Sequence, residues 1–105
     1  MYSQATIEKL SKQLLALASQ EIRIRDAYLF GSYASGFAGE YSDIDLAIIS
    51  DDFVGSYFDD ATRLDKFVLK TCSAIEVHPF RAEDFTPDNP FVAEILRTGK
   101  RITWN

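Results

Sequence analysis

Apolar residues recur at helical spacing in three parts of the chain. The stretches run from Ser3 to Ser19, from Tyr57 to Thr71 and from Pro90 to Lys100. In each, apolar positions stand three or four residues apart with polar residues between them, which is the pattern of an amphipathic helix. In the first stretch these positions are Ile7, Leu10, Leu14 and Leu17. In the third, a proline at the first turn and a glycine near the end favour a start and a stop at those points.

Shorter apolar segments between these helices predict strands. They cover 26–30, 43–50, 73–80 and 101–104. Gly31 and Ser32 interrupt the pattern after the first strand and lead into a predicted short helix from Tyr33 to Gly36. Pro79 should end the third strand or confine it to a sheet edge, because proline cannot donate to a sheet ladder.

The order of these elements is α, β, short α, β, α, β, α, β. It predicts a small α/β (α+β) fold in which a mixed sheet is flanked by helices. The chain has 105 residues, of which 47% are hydrophobic. This is enough for one core but too little for two, so we expect a single domain over residues 1–105.

Charge and composition exclude several classes of function. The 11 basic and 16 acidic side chains give a formal net charge of -5, which argues against general binding to nucleic acid or to an anionic membrane. Cys72 is the only cysteine, so an internal disulfide cannot form, and a small residue near a helix end is the expected role. Without an apolar run of membrane-spanning length or a signal-peptide pattern, the expected location is the cytoplasm.

Two aspartates enter the otherwise apolar second strand. Side chains alternate across a strand, so Asp43 and Asp45 should share one face, about 7 Å apart. An ionised carboxylate is costly to bury without a partner, and this pair would repel. Hard divalent cations held by both carboxylates would remove the repulsion, so the pair predicts a metal site.

The third strand repeats the pattern with one acid. Glu76 stands between Ile75 and Val77, whose side chains should point to the opposite face. If this strand neighbours the second one, Glu76 joins the two aspartates on one surface. Three such carboxylates suit two metal ions about 4 Å apart, which is an arrangement used in phosphoryl and nucleotidyl transfer.

The step from Gly31 to Ser32 offers a place for phosphates. Glycine lets the backbone approach an anion closely, and a following helix start presents free N–H groups. Alone, the step would be interpreted as a turn with an N-cap serine. Its combination with the aspartates favours a phosphate site.

Rival motifs fail on particular residues. A Walker A loop would need lysine and serine or threonine where the chain has Phe37 and Ala38. An EF-hand loop would need a glycine at its sharp turn, whereas this segment is an apolar strand. His78 is the only histidine, so no histidine pair is available for zinc, and its expected role is that of a rim or packing residue.

Together, "GS", ten intervening residues, "DID" and a later strand with one acid resemble the nucleotidyltransferase superfamily with the DNA polymerase β type of fold. The chain is most similar to the minimal nucleotidyltransferase (MNT) branch, and the likeness extends to the closing "EILRTGKRITW". The resemblance implies that Gly31 and Ser32 contact nucleotide phosphates. It also implies that Asp43, Asp45 and Glu76 are catalytic and bind two Mg²⁺ ions, with Mn²⁺ as an alternative, and that the third acid helps to activate the acceptor hydroxyl.

The chain departs from this family at two points. Many relatives carry arginine shortly after the Gly-Ser step, where this chain has Tyr33 and Ser35. The negative charge of the phosphates would then be neutralised by metal and by one of three basic residues on the predicted helix from Tyr57 to Thr71. At least two of these three side chains are expected to be solvated. The three residues are Arg63, Lys66 and Lys70. Glu76 is also one methylene longer than the aspartate it would replace.

Stand-alone MNT proteins are commonly paired with a small helical HEPN protein as antitoxin and toxin. The resemblance therefore implies an enzyme that transfers a nucleoside monophosphate, AMP from ATP or that of another nucleotide, to a hydroxyl of a HEPN partner, as a homo- or hetero-oligomer. The alternative is a binding module of the same fold that neutralises its partner by contact. Trp104, Phe91 and Tyr57 are candidate partner contacts, although a core position is equally compatible with each.

Overall fold

The structure is a computed structural model that describes residues 2–35 and 43–104. Four α-helices occur in these residues, and they are α1 (Gln4–Ala18), α2 (Ser32–Ser35), α3 (Tyr57–Thr71) and α4 (Pro90–Thr98). The strands are β1 (Ile24–Phe30), β2 (Ile44–Ser50), β3 (Ile75–Phe80) and β4 (Lys100–Arg101). The sequence did not predict the short 3₁₀ turn Ala82–Asp84 between β3 and α4.

Polar side chains cap the starts of the three long helices. The hydroxyl of Ser3 accepts a hydrogen bond from the Thr6 amide at 3.1 Å, and the amide oxygen of Asn89 accepts one from the Phe91 amide at 2.9 Å. Ser56 plays the same role before α3. These caps satisfy backbone N–H groups that have no partner inside the helix, so the helices begin where short polar residues precede the apolar stripe.

The strands form one mixed sheet in the order β3-β2-β1-β4. The β1 strand pairs antiparallel with both β2 and β4, whereas β2 and β3 are parallel and are connected through α3. Pro79 lies in β3, which is an edge strand, as the sequence predicted. The predicted fold class is confirmed.

The two faces of the sheet have different partners. The first face carries the main core, in which α1 and α3 cover the sheet; its strand residues are Ala27, Leu29, Ile44, Leu46, Ile48, Ile75 and Val77. The second face carries a smaller buried cluster that includes one residue from α4; its members are Phe30, Ala47, Ile49 and Ile95. This second face is less completely covered, so it can combine a core with a solvent-accessible site.

The structure corrects several predicted boundaries. The β1 strand begins two residues earlier than predicted, at Ile24, and β4 comprises only Lys100 and Arg101. The short helix begins at Ser32 rather than Tyr33, and its predicted end at Gly36 lies outside the described residues. Sequence patterns place short elements poorly because few residues contribute to each. No helix in the described part of the chain is both long and apolar enough to cross a membrane.

Candidate active site

Strand register brings two of the predicted acids side by side. The parallel pairing of β2 with β3 sets Asp45 opposite Glu76. Their neighbours Ile44, Leu46 and Ile75 are buried in the main core, so the alternation of side chains directs both acids to the second face. These acids can lie close together only if the third strand lies beside the second, and this prediction is confirmed.

His78 joins the two carboxylates. Its Nε2 atom lies 3.1 Å from Oδ1 of Asp45, and one ligand atom from each of Asp45, Glu76 and His78 lies within 4.8 Å of the others. The side chains of His78 and Asp45 are 15% and 23% exposed, respectively, and Glu76 is exposed. The group is therefore a half-buried cluster that opens to solvent on the Glu76 side.

Aromatic rings hold the imidazole of His78. The Phe30 ring lies edge-on to it with centroids 4.9 Å apart, and the Phe91 ring of α4 lies 6.0 Å away. The sequence pattern predicted a rim or packing role for His78. Its packing is confirmed, but its contact with Asp45 was missed; the available signal was its position two residues after Glu76, on the same strand face.

Gly31 lies directly against Asp45. A Cβ atom placed on Gly31 would be 2.3 Å from Oδ2 of Asp45, and the φ angle of Gly31 is 78°. Both facts favour glycine, because L-residues rarely adopt this backbone conformation and a side chain would collide with the carboxylate. The Gly-Ser step and the aspartate motif, which are separate in sequence, are thus joined in space.

The remaining predicted site residues lie at the margins of this group. Ser32 is half-buried and opens α2, immediately after Gly31. Asp43 is exposed and stands just before the first residue of β2, outside the group of three ligand atoms. A separation of about 7 Å from Asp45, as expected for two positions along a strand, would by itself keep Asp43 out of a group this tight, so its place on the same face stays a prediction. Between them, residues 36–42, with Phe37 and Ala38 of the rejected Walker A comparison, lie outside the described residues.

The basic residues of α3 do not face the carboxylates. Leu64 and Phe67 pack the middle of α3 onto the first face of the sheet, whereas Asp45 is directed to the second face. A guanidinium nitrogen of Arg63 donates to the Asp52 carbonyl at 2.8 Å. The ammonium of Lys66 lies 2.6 Å from a carboxylate oxygen of Glu21, and Lys70 is exposed. The suggestion that one of them meets nucleotide phosphate is wrong for this arrangement, and the prediction of a solvated helix face is confirmed.

Tyr57, the first residue of α3, lies beside the acids at the edge of the sheet. Its hydroxyl is 3.4 Å from the Val77 carbonyl oxygen. Partial burial raises the pKa of its phenol, and the negative charges of Glu76, Asp45 and Asp65 raise it further. The residue is nevertheless 57% exposed, so Tyr57 combines a surface position with proximity to the site.

The donor set fits a divalent cation. Asp45 and Glu76 supply the carboxylate oxygens that hard cations prefer, and the nitrogen of His78 can complete one side of a coordination sphere. The collision that a side chain at Gly31 would cause shows that the backbone of the glycine turn lies directly against the Oδ2 side of Asp45. The structure thus shows a group able to hold a metal ion, next to a glycine turn.

Residues 7–97 match the model of the nucleotidyltransferase domain family. The match covers most of the chain, and the protein therefore belongs to this family. The assignment supports nucleotidyl transfer as the class of reaction. No protein with curated annotation matches the chain.

Solved structures agree on the fold. A candidate nucleotidyltransferase from Sulfolobus solfataricus superposes with a TM-score of 0.71 at 17% identity, over 93% of this chain and 80% of that one. A toxin-antitoxin complex with AMP-PNP matches with a TM-score of 0.61 at 21% identity, covering 90% of this chain and 73% of the other. A tyrosine-to-alanine variant of the toxin-antitoxin MntA-HpeT matches with a TM-score of 0.58 at 21% identity, covering 100% and 75%. These likenesses establish the nucleotidyltransferase fold for this protein.

Proposed function

We propose that this protein is a metal-dependent nucleotidyltransferase that moves a nucleoside monophosphate, AMP from ATP, to a hydroxyl of a protein partner. The observation that carries the proposal is the convergence of Gly31, Asp45 and Glu76, which come from three separate parts of the chain. A phosphate-binding turn next to paired carboxylates is what nucleotidyl transfer requires, because the substrate is an anion and the nucleophile is a weak one.

Each residue has a proposed role in the reaction. The backbone at Gly31 approaches the triphosphate closely, and Ser32 adds a hydroxyl at the start of α2. Asp45 and Glu76, with Asp43 completing the set, hold Mg²⁺, or Mn²⁺ in its place, as two ions. When bound, the metal neutralises phosphate charge and stabilises the leaving group.

The bond changes follow from these positions. The acceptor oxygen forms a bond to the α-phosphorus of ATP, the bond from this phosphorus to the bridging oxygen breaks, and pyrophosphate leaves. Glu76, the most exposed of the three clustered groups, accepts the proton of the acceptor hydroxyl. Its exposure allows the hydroxyl of another protein to reach it.

The proposed partner is a HEPN-family protein, for which this chain would be the antitoxin. Support comes from the fold shared with the toxin-antitoxin structures and from two exposed aromatic side chains near the site, Tyr57 and Phe91, which are 57% and 46% exposed. Trp104 is partly buried against the main core, which makes it the weakest of the three candidate contacts. A single domain over residues 1–105 that works in the cytoplasm remains the prediction from sequence.

A binding module without turnover is the second candidate. Tyr33, which stands where many relatives carry arginine, is 7% exposed and belongs to the main core, so it cannot reach a phosphate. This observation favours weak catalysis. A protein of this kind would neutralise its partner by contact alone.

Adenylyl transfer can be tested with a purified HEPN-family protein as the partner. The two proteins are mixed with Mg²⁺ and with ATP, GTP, CTP or UTP, and the partner is analysed by intact-mass spectrometry. We expect the mass of one adenylyl group to be added with ATP. The double substitution Asp43→Asn and Asp45→Asn should abolish this addition while the complex persists in size-exclusion chromatography. A stable complex with an unmodified partner under all four nucleotides would favour the binding module.

A further inference from the structure

We propose that His78 is itself a metal ligand and that it shifts the preference of this site from Mg²⁺ toward Mn²⁺ and similar transition-metal ions. The inference deepens the proposed function, because it concerns the same site, but it rests on metal binding and not on transfer. It assigns chemistry to a residue that the carboxylate motif does not include.

The spacing of the three groups fits coordination of one ion. Two ligands at right angles in an octahedral sphere with bonds of roughly 2.1 Å are about 3 Å apart. The distance from Nε2 of His78 to Oδ1 of Asp45 is 3.1 Å, and the ligand atom of Glu76 lies within 4.8 Å of both. An ion placed on the open side of the group can therefore contact all three with small adjustments of the exposed Glu76 side chain.

The imidazole is held in place for this role. Its side chain is only 15% exposed, and the rings of Phe30 and Phe91 pack edge-on to it from β1 and α4. Residue 78 pairs with Ala47 in β2, whose small side chain leaves space on the second face beside Asp45. A ring fixed in this way has little rotamer entropy to lose when it binds an ion.

A hydrogen bond from His78 to Asp45 is the competing explanation of the same contact. In that case the Nε2–H group donates a hydrogen bond to the Asp45 carboxylate, and His78 only orients this carboxylate. The two roles use the same nitrogen atom, so Nε2 cannot perform both while an ion is bound. A measurement that detects whether this nitrogen is bound to the metal therefore distinguishes the two roles.

The choice of metal follows from the ligand type. Imidazole nitrogen binds transition-metal ions well, whereas Mg²⁺ prefers oxygen ligands and retains water. A site with two carboxylates and one imidazole should therefore favour Mn²⁺ over Mg²⁺ more strongly than the same site without the ring.

Pulsed electron paramagnetic resonance of the Mn²⁺-loaded protein tests the inference directly. His78 is the only histidine of the chain, so an imidazole ¹⁴N coupling to Mn²⁺ has one source, provided that the protein carries no histidine tag. We expect this coupling in the unmodified protein with one equivalent of Mn²⁺ and its loss in His78→Gln. Calorimetry should show that His78→Gln lowers the ratio of Mn²⁺ to Mg²⁺ affinity by about tenfold or more.

Bound Mn²⁺ without imidazole coupling in the unmodified protein would overturn the inference, as would failure to bind Mn²⁺ at all. These outcomes do not require the variant to fold. These outcomes also do not decide the proposed function. If the protein transfers nucleotide with Mg²⁺ although His78 does not coordinate the metal, the function is supported and only the ligand role of His78 is rejected. Conversely, coupling in a protein that transfers no nucleotide would support the ligand role alone.

Discussion

Gly31 and Asp45 are in contact although they stand fourteen positions apart in the sequence, and a Cβ atom on Gly31 would lie 2.3 Å from Oδ2 of Asp45. This contact fixes the distance between the glycine turn and the carboxylate that are proposed to share a nucleotide. Substitution at Gly31 should therefore alter binding through Asp45 as well as through the backbone.

We expect Gly31→Ala to weaken ATP binding in the presence of metal more than Ser32→Ala does. The alanine would displace the Asp45 carboxylate and strain the backbone, whereas the serine change removes hydrogen bonding worth about 1 kcal/mol. Titration calorimetry measures both affinities. Gly55→Ala is the matched control, because Gly55 also has a positive φ of 90° but would contact Arg81 rather than Asp45. Equal losses from Gly31→Ala and Gly55→Ala would attribute the effect to backbone strain.

Metal should strengthen ATP binding by about tenfold or more, because the triphosphate and the acids otherwise repel each other. Asp45→Asn should remove most of this gain, and it should leave the fold intact or slightly more stable because repulsion from Glu76 is reduced. Calorimetry with and without Mg²⁺ measures the gain. Asp51→Asn, at an exposed carboxylate beyond the other end of β2, makes the same charge change away from the site. Equal ATP affinity with and without metal in the unmodified protein would reject the metal site.

Asp60 should be important for stability rather than for binding. This carboxylate is 2% exposed and accepts hydrogen bonds from the amides of Val54 and Gly55, each at 2.9 Å. Asp60→Ala leaves both amides without this partner, so we expect the free energy of unfolding to fall by roughly 2–4 kcal/mol. Urea denaturation measures the change. The exposed Asp59 in the same helical turn serves as a control, since Asp59→Ala removes an equal charge from the helix start. A loss of similar size from Asp59→Ala would assign the effect to the helix dipole.

Two fully buried serines should respond oppositely to alanine. The Ser11 hydroxyl has no hydrogen-bond partner in the described residues, whereas that of Ser50 donates to the Arg23 carbonyl at 2.6 Å and accepts from the Asp52 amide at 3.0 Å. We expect Ser11→Ala to stabilise the protein by about 0.5 kcal/mol and Ser50→Ala to destabilise it by about 1–3 kcal/mol. Thermal and urea unfolding of the pair provide the measurement. A destabilising Ser11→Ala would contradict the prediction.

The sequence by itself determined the long elements and the residue types of the site. The α3 helix and the start of α4 follow from apolar periodicity and from the polar caps at Ser56 and Asn89, which are local interactions. The alternation of apolar and polar residues around Glu76 likewise predicted that its side chain lies on the sheet face opposite to Ile75 and Val77. Local patterns suffice here because helix and strand periods are properties of the backbone.

Only the tertiary structure decided which of these residues meet. Parallel pairing of β2 with β3 places Asp45 beside Glu76, and the same sheet separates Arg63 and Lys66 from them. The contact of His78 with Asp45 depends on that register, since a shift by one residue would turn one of these side chains to the opposite face. Strand order and register are set by long-range packing of the two cores. The pattern along a single strand therefore shows which functional groups are available, and the pairing of strands in the sheet determines which of them lie close enough to act together.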